Sequence, residues 1–362
     1  MYWSVYMRKL NVCVLFGGVS PEHEVSLRSA ESVLSNMNTD EYNIYPVGIT
    51  KDGNWILFGG RDYSMLPDGS WESHPDNRKA TISPIRGQGL LVFENDCAVR
   101  EMIDVVFPVL HGENGEDGAM QGLLQLAGIP YVGSHVAESA VAMDKTLTKL
   151  VMDNVKIPQA QWLLARSSEL ADRMNAIVEA VEGKFDYPVF VKPAGTGSSV
   201  GVSKAADRQS LVDALLCAGE YDEKILVEEF IHGREVEVAV MGNGTPVASV
   251  CGEIDSGAEF YDYKAKYVTD TSVAYIPARI SEPVAEQVRE LAVKAYKAIG
   301  CQGLSRVDFF VTYEDERIVF NEINTLPGFT SISMYPKLFS ASGVPYDQLI
   351  DQLVQLALEA LK

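Results

Sequence analysis

The segments Ser305-Arg306-Val307-Asp308-Phe309-Phe310-Val311 and Ile318-Val319-Phe320-Asn321-Glu322-Ile323-Asn324 concentrate residues able to do chemistry. Side chains of a strand alternate between its faces. Arg306 and Asp308 therefore share one face, and Glu322 and Asn324 share a face of the next strand. A turn centred on Asp315 sets Asp308 opposite Glu322 and Arg306 opposite Asn324. Opposed carboxylates repel. A divalent cation between them removes the conflict, and carboxylates with an amide oxygen are hard ligands suited to Mg2+. A solvated hairpin face neutralised by Arg306 accounts for the same pattern.

Three other stretches carry comparable signals. In Lys192-Pro193-Ala194-Gly195-Thr196-Gly197-Ser198-Ser199-Val200-Gly201 the glycines and serines free backbone N–H groups to face an anion, and Lys192 adds positive charge. The stretch lacks the GxxxxGK[ST] spacing and no helix follows it, so it reads either as a phosphate cover of another kind or as a plain hairpin tip. Val227-Glu228-Glu229-Phe230-Ile231-His232-Gly233-Arg234-Glu235 ends an apolar strand in carboxylates. These are solvated, or they serve a nucleotide's amino group and ribose hydroxyls. Tyr261-Asp262-Tyr263-Lys264-Ala265-Lys266-Tyr267 lies in the polar stretch Asp255 to Ser272, a connection long enough for an active-site lid or a plain surface loop.

The elements that must position these groups form an α/β chain. Leu10 to Phe16 is a continuous apolar run, as expected for a parallel strand buried on both faces. Gly17-Gly18 ends it, and Ser20-Pro21 predicts a helix start with Ser20 as N-cap, running to about Met37. Asn43 to Ile49 and Val105 to Leu110 are further strands, and Ala119 to Ala127 is a helix stopped by Gly128 and Pro130. This predicts an open parallel α/β domain with its ligand loops at the strand C-termini. Asp52 to Asn95 reads as an irregular insertion with short strands at most. Helices are expected over Lys145–Asn154, Ser167–Glu182, Ala285–Ile299 and Tyr346–Leu361. Strands are expected over Tyr187–Lys192, from Val200, and over Ile225–Ile231, Val236–Met241, Val247–Glu253, Leu304–Val311 and Arg317–Ile323.

At 362 residues the chain is long enough for several domains. We place them at 1–144, 145–232 and 233–362. Apolar content of 47% and charged content of 22% are ordinary for a globular protein. No run approaches the ~18 apolar residues of a membrane span, and the first residues lack a signal-peptide core, with Met7 a candidate start. A net charge of −20 argues against nucleic acid or an anionic membrane as partner and leaves anionic substrates only where basic residues gather locally. The cysteines, Cys13, Cys97, Cys217, Cys251 and Cys301, are scattered without a CxxC pair, which fits a reducing compartment; Cys13 reads as a core residue.

Taken in order, these motifs resemble the D-alanine–D-alanine ligase family of the ATP-grasp superfamily over nearly the whole chain. The resemblance adds Phe16-Gly17-Gly18-Val19-Ser20-Pro21-Glu22-His23-Glu24-Val25-Ser26, Leu110-His111-Gly112-Glu113-Asn114-Gly115-Glu116-Asp117-Gly118, Met143-Asp144-Lys145 and Asn321-Glu322-Ile323-Asn324-Thr325-Leu326-Pro327-Gly328-Phe329-Thr330-Ser331. It implies a three-domain ATP-grasp architecture. It implies ATP between the second and third domains, with Lys145 and Lys192 on its phosphates, Ser198 and Ser199 closing over them, and Glu228, Glu229, Ile231, Glu235 and Phe310 around adenine and ribose. It implies a pair of Mg2+ ions on Asp308, Glu322 and Asn324, with Mn2+ as a substitute. Glu22 would receive the ammonium of the first D-alanine, with His111 nearby. Arg306 and the Gly328 N–H would stabilise the oxyanion. Ser331, Ser333 and Lys266 would hold the second substrate's carboxylate, and Tyr267 would reach toward Glu22 and Ser198. A cytoplasmic homodimer making the dipeptide for peptidoglycan precursors is the family expectation. Ala194-Gly195-Thr196 departs from it in lacking a larger polar or basic residue.

Rival readings keep part of this picture. D-alanine–D-serine and D-alanine–D-lactate ligases share the motifs; Tyr267, and Met334 before Tyr335-Pro336, favour D-alanine. A non-catalytic nucleotide-binding regulator would have lost Glu22, Arg306, Asp308, Glu322 or Asn324, and all are present. A dehydrogenase would need more than the Gly17-Gly18 pair.

Overall fold

The computed structural model describes residues 8–95, 97–197, 200–255 and 273–360. Among the described residues there are three sheets. The first is built on Leu10–Gly17, which pairs in parallel with Tyr42–Ile49 on one side and Val105–Pro108 on the other. Val12, Val14 and Phe16 enter one apolar cluster, and Cys13 and Leu15 enter another on the opposite face. A strand covered on both sides needs the unbroken apolar run seen in the sequence.

The stretch expected as an irregular insertion extends this sheet. Trp55–Leu57, Arg78–Ile82 and Leu90–Glu94, with Cys97–Glu101, add to the Tyr42–Ile49 edge as antiparallel strands and complete a seven-stranded sheet. The parallel core is therefore flanked by an antiparallel half. Only one face of that half packs on the core, so Cys97–Glu101 is largely exposed and its hydrophobic signal is weak.

The first helix starts later than the sequence predicts, at His23, and runs to Asn36; Ser20 does not cap it. The Ser20 hydroxyl donates to the His111 carbonyl at 2.8 Å and accepts from the Glu22 N–H at 3.1 Å. A contact from a distant loop has taken the capping group.

The second sheet is antiparallel, in the order Ser203–Ala205, Val189–Pro193, Lys224–Glu229, Trp162–Arg166. Pairing of Val191 with Ser203 shows the expected hairpin around the glycine loop. The third sheet runs Val273–Tyr275, Gly252–Asp255, Gly233–Met241, Leu304–Thr312, Ile318–Asn324, with Val247–Ala248 added to Gly233–Met241. The expected strand Val247–Glu253 is thus broken into two short ones. Helices Val136–Met143, Arg208–Gly219 and Met334–Ala341 were not anticipated.

The final helix, Tyr346–Glu359, does not stay with its sequence neighbours. Leu349, Ile350, Leu353 and Val354 join the cluster containing Val12, Val14 and Leu27, so the C-terminal helix covers one face of the first sheet. Cys13 is fully buried, and burial pushes its thiol upward, as expected of a core residue. Among the described residues no helix is long and apolar enough to cross a membrane.

Candidate active site

A cavity of about 520 Å³ lies between the second and third sheets, with Glu116, from the loop between strand Val105–Pro108 and helix Ala119–Ala127, reaching its wall. The second sheet contributes Phe190, Lys192, Lys204, Glu228 and Glu229; the third contributes Glu235, Glu253, Phe310, Glu322 and Asn324. Lys145, at the start of helix Lys145–Asn154, joins them. A chain of net charge −20 therefore gathers Lys145, Lys192, Lys204 and Arg234 around one cavity. Glu116, Glu228, Glu229, Glu235, Glu253, Asp255 and Glu322 line the same cavity, so these are placed cations within a mixed-charge lining rather than a net basic patch.

One wall of the cavity is apolar. Ala160, Ile231 and Val319 form a small buried cluster with Phe310 packed on it. The flat Phe310 and Phe190 beside Ile231 and Ala160 suit an aromatic base, and Glu229 and Glu235 stand on the same lining. The Glu229 carboxylate also accepts the Gln161 N–H at 2.9 Å, which fixes its direction.

The lysines are already engaged. Lys145 Nζ donates to the Thr196 carbonyl at 2.6 Å, tying helix Lys145–Asn154 to the glycine loop. Lys192 Nζ lies 2.7 Å from Glu228 Oε2, and Lys149 Nζ pairs with Glu228 Oε1. Burial alone would push Lys192 down, but Glu228 outweighs it and the ammonium is held above its usual range. Burial likewise raises Glu228, and Lys149 with Lys192 overturns that and brings it to about 2.

The hairpin places its charged residues in the expected register. Arg306 faces Asn324 and Asp308 faces Glu322, but through a β-bulge rather than a regular turn. Between the turn and the bulge the pairing is Phe309 with Phe320, and the extra residue Asn321 restores the alignment of Asp308 with Glu322. Without the bulge a one-residue slip would turn Glu322 and Asn324 to the opposite face. On the other side Glu237 faces Asp308 and Ala239 faces Arg306, so Glu237, Asp308 and Glu322 form a row across adjacent strands.

Arg306 is the counter-charge for that row. Its Nε and Nη2 each donate to Asp308 at 2.7 Å, and Nε is 3.1 Å from Glu237. Burial opposes its charge, but Asp308 and Glu237 more than offset this and hold it well above its ordinary range. The sequence leaves a cation and an Arg306-neutralised face as alternatives; in the structure Arg306 does neutralise Asp308. Glu322 and Asn324 nevertheless line the cavity. The donor set of Asp308, Glu322 and Asn324 is all oxygen, with Asn324 Nδ2 donating to Asp308 Oδ2 at 3.1 Å, and its chemistry fits a hard divalent cation.

Glu22 connects this centre to the first sheet. It is buried, and two glycines make room for it. A Cβ on Gly112 would lie 2.4 Å from Glu22 Oε2, and one on Gly197 would lie 3.1 Å away. Gly112 also has φ +72°, which disfavours any other residue. His111 is buried beside it, with Nε2 3.2 Å from the Ser29 hydroxyl. Burial lowers the His111 pKa, against the opposing pull of Glu22, so the ring is held toward its neutral form. Ser29 also accepts the Phe329 N–H at 3.3 Å, linking His111 to the Gly328 loop. A Cβ on Gly328 would meet the Ser333 hydroxyl at 2.9 Å, and Ser333 in turn bonds Thr330.

The structure thus brings together Glu22 and the loops bearing His111 and Gly197, and, around the cavity, Lys145, Lys192, Glu228, Glu229, Ile231, Glu235, Phe310, Glu322 and Asn324. Asp308 and Arg306 lie behind Asn324. Ser331 and Ser333 do not line the cavity. Ser198, Ser199, Lys266 and Tyr267 lie outside the described residues. Met334 reads differently from the sequence: its side chain is in the core, its Cε where a side chain on Gly252 would be, so its identity reports packing first.

Sequence reasoning passed over Lys149, Glu237, Ser29 and Glu116. Glu116 sits inside a quoted motif without a role. Its carboxylate accepts the Gly112 N–H at 2.9 Å, and burial, reinforced by the charge of Glu22, pushes it up to about 8.

Family models match almost end to end: "D-ala D-ala ligase N-terminus" over residues 11–134 and "D-ala D-ala ligase C-terminus" over residues 151–355. The chain belongs to the D-alanine–D-alanine ligase family. It is 50% identical to a D-alanine–D-alanine ligase of Acetivibrio thermocellus over 97% of this chain and 96% of that protein. It is 49% identical to one of Caldicellulosiruptor bescii over 98% and 96%. Among solved structures, the VanG D-Ala:D-Ser ligase of Enterococcus faecalis superposes with a TM-score of 0.88 at 38% identity, covering 97% of this chain and 100% of that one. The D-alanine–D-alanine ligase of Coxiella burnetii gives 0.82 at 34%, covering 98% and 95%. The mixed α/β fold is that of the ATP-grasp ligases.

Proposed function

We propose that this chain joins two D-alanines into D-alanyl-D-alanine, with ATP cleaved to ADP and phosphate, to supply peptidoglycan precursor synthesis. The observation that carries this reading is the junction of Glu22 with Gly112 and Gly197 beside a lysine-lined cavity. A carboxylate for an amino-acid ammonium and a cover for nucleotide phosphates meet there, in a chain half identical to relatives bearing that name.

In this reading the nucleotide occupies the cavity. The base lies against Ile231 and Phe310, Glu228, Glu229 and Glu235 serve base and ribose, and Lys145 and Lys192 meet the phosphates under the glycine loop with Ser198 and Ser199. Asp308, Glu322 and Asn324 would hold Mg2+, or Mn2+ in its place, which supplies positive charge against the phosphates. Glu22 and neutral His111 orient the first D-alanine. Its carboxylate oxygen attacks the γ-phosphorus as the bond to ADP breaks, giving an acyl phosphate. The deprotonated amine of the second D-alanine then attacks the acyl carbon and phosphate leaves, taking the bonding electrons. Arg306 and the Gly328 N–H stabilise the oxyanion, and Ser331, Ser333 and Lys266 hold the second carboxylate. Exclusion of water protects the acyl phosphate, a role we give to Tyr267 and its loop.

The sheets correspond to domains 1–144, 145–232 and 233–362 in this proposal, which also includes a cytoplasmic homodimer. Favouring D-serine as second substrate is the high structural likeness to a D-Ala:D-Ser ligase; the higher identity to ligases named for D-alanine weighs against it. Phosphate release with D-alanine alone, with added D-serine and with added D-lactate, products identified by mass, decides. Dipeptide from D-alanine alone is expected. A dominant mixed product would reassign the second substrate, and no phosphate release would refute the reading.

A further inference from the structure

Helix Lys145–Asn154 carries Lys145 and Lys149 one turn apart, hence on the same side. Lys145 reaches the cavity. Lys149 does not line it, and its side chain is 2% exposed. A lysine this deep keeps its charge only beside a counter-ion. Its ammonium meets Glu228 Oε1, while Lys192 holds Glu228 Oε2 at 2.7 Å. The pairing of Lys192 and Glu228 follows from their strands: Leu226 faces Lys192 and Glu228 faces Phe190, a diagonal neighbourhood within one sheet face.

The carboxylate therefore stands between two ammonium groups, one at the cavity wall and one behind it. The trio has one positive charge in excess, and only Lys192 can present it to the cavity. A phosphate group arriving there draws Lys192 away from Glu228. Without Lys149, that movement would strand a carboxylate whose exposure is only 4%, and Lys192 would stay on Glu228. We propose that Lys149 is a positioning residue of the nucleotide site: as the permanent counter-ion of Glu228, it releases Lys192 to engage phosphate. The inference rests on the reading of Lys192 as a phosphate contact. The low pKa of Glu228, held down jointly by both lysines, agrees with a carboxylate that remains charged throughout.

The test compares ATP with adenosine, which lacks phosphates, by calorimetry on the full chain. Lys149→Met weakens ATP binding about 30-fold or more, as expected when one partner of a buried charge group is removed, and leaves adenosine affinity unchanged. Lys149→Arg, which keeps the charge, recovers most of the ATP affinity. Equal loss for both ligands, or no loss for ATP, overturns the proposal. Where Lys149→Met fails to fold, Glu228→Gln and the double variant Lys149→Met/Glu228→Gln decide. With residue 228 neutral, removing Lys149 leaves ATP affinity unchanged; a further loss overturns the proposal. Lys192→Met separates this from the parent reading. If it binds ATP as wild type does, Lys192 is no phosphate contact and the proposal falls with it. If it binds ATP weakly while Lys149→Met binds normally, only the role of Lys149 is refuted.

Discussion

Replacing Glu116 with Gln should make the ligand-free protein more stable at alkaline pH. The Glu116 carboxyl is raised from 4.5 to about 8, first by burial and then by the charge of Glu22, while Arg306 and the Gly112 N–H pull the other way too weakly to restore it. A carboxyl whose pKa is higher folded than unfolded contributes stability that is complete below the unfolded value and is lost as pH rises through the folded value. For Glu116 that window runs from about 4.5 to about 8. Between pH 6 and pH 8 the wild type thus loses up to about 1.4 kcal/mol per pH unit, or roughly 2–3 kcal/mol in all. One edge of Glu116 faces the cavity, so screening by water reduces this to about 1–2 kcal/mol. Glutamine keeps the shape and an oxygen for the Gly112 N–H, and cannot ionise. The assay is thermal unfolding of both proteins in chelator from pH 5.5 to 9. At roughly 2 °C per kcal/mol for a large chain, the variant should gain about 2–4 °C on the wild type across the range. Parallel melting curves would refute the argument, because they would mean that Glu116 is already charged at pH 6.

Four further outcomes follow from the same geometry. Gly112→Ala forces a left-handed backbone onto alanine and drives its Cβ into Glu22 Oε2; a cost of about 1–2 kcal/mol in stability should accompany a raised KM for the first D-alanine, measured by steady-state kinetics. Asp308→Asn removes the negative charge that Arg306 grips through both Nε and Nη2, leaving Glu237 and Glu322 to offset the buried guanidinium; we expect about 2–4 kcal/mol of destabilisation by urea unfolding and loss of ligation. Ser29→Ala deletes the hydroxyl between His111 and the Phe329 N–H, so kcat should fall by about tenfold or more with ATP affinity unchanged. Deleting Asn321 removes the extra residue and lets Glu322 follow Phe320 directly, still opposite Asp308, with Asn324 still opposite Arg306; isothermal titration should show divalent-cation binding retained.

Much of the chemistry was legible in the residues because alternation along a strand is a local rule. Arg306 beside Asp308, and Glu322 beside Asn324, follow from a period of two, and the burial of Leu10–Phe16 on both faces follows from its composition. The glycine loop and helix Lys145–Asn154 were equally local, the latter opened by the Asp144 cap. The register of the hairpin was anticipated correctly, yet for a regular turn, whereas the chain reaches it through a bulge at Asn321.

What the sequence could not decide depends on which distant segments meet. Ser20 reads as a helix cap until the His111 carbonyl arrives to claim its hydroxyl. Residues 52–95 read as irregular because their strands pack on one face only and lie partly on an exposed edge. Met334 reads as a selectivity position until Gly252 is seen beneath it. Lys149 looks like an ordinary polar helix residue until Glu228 is brought against it from another strand. Periodicity and composition fix a side chain's facing along its own element, because backbone geometry imposes that locally. Its charge partner, and hence its ionisation and role, is set by packing between elements far apart in the chain, and only the tertiary structure contains that.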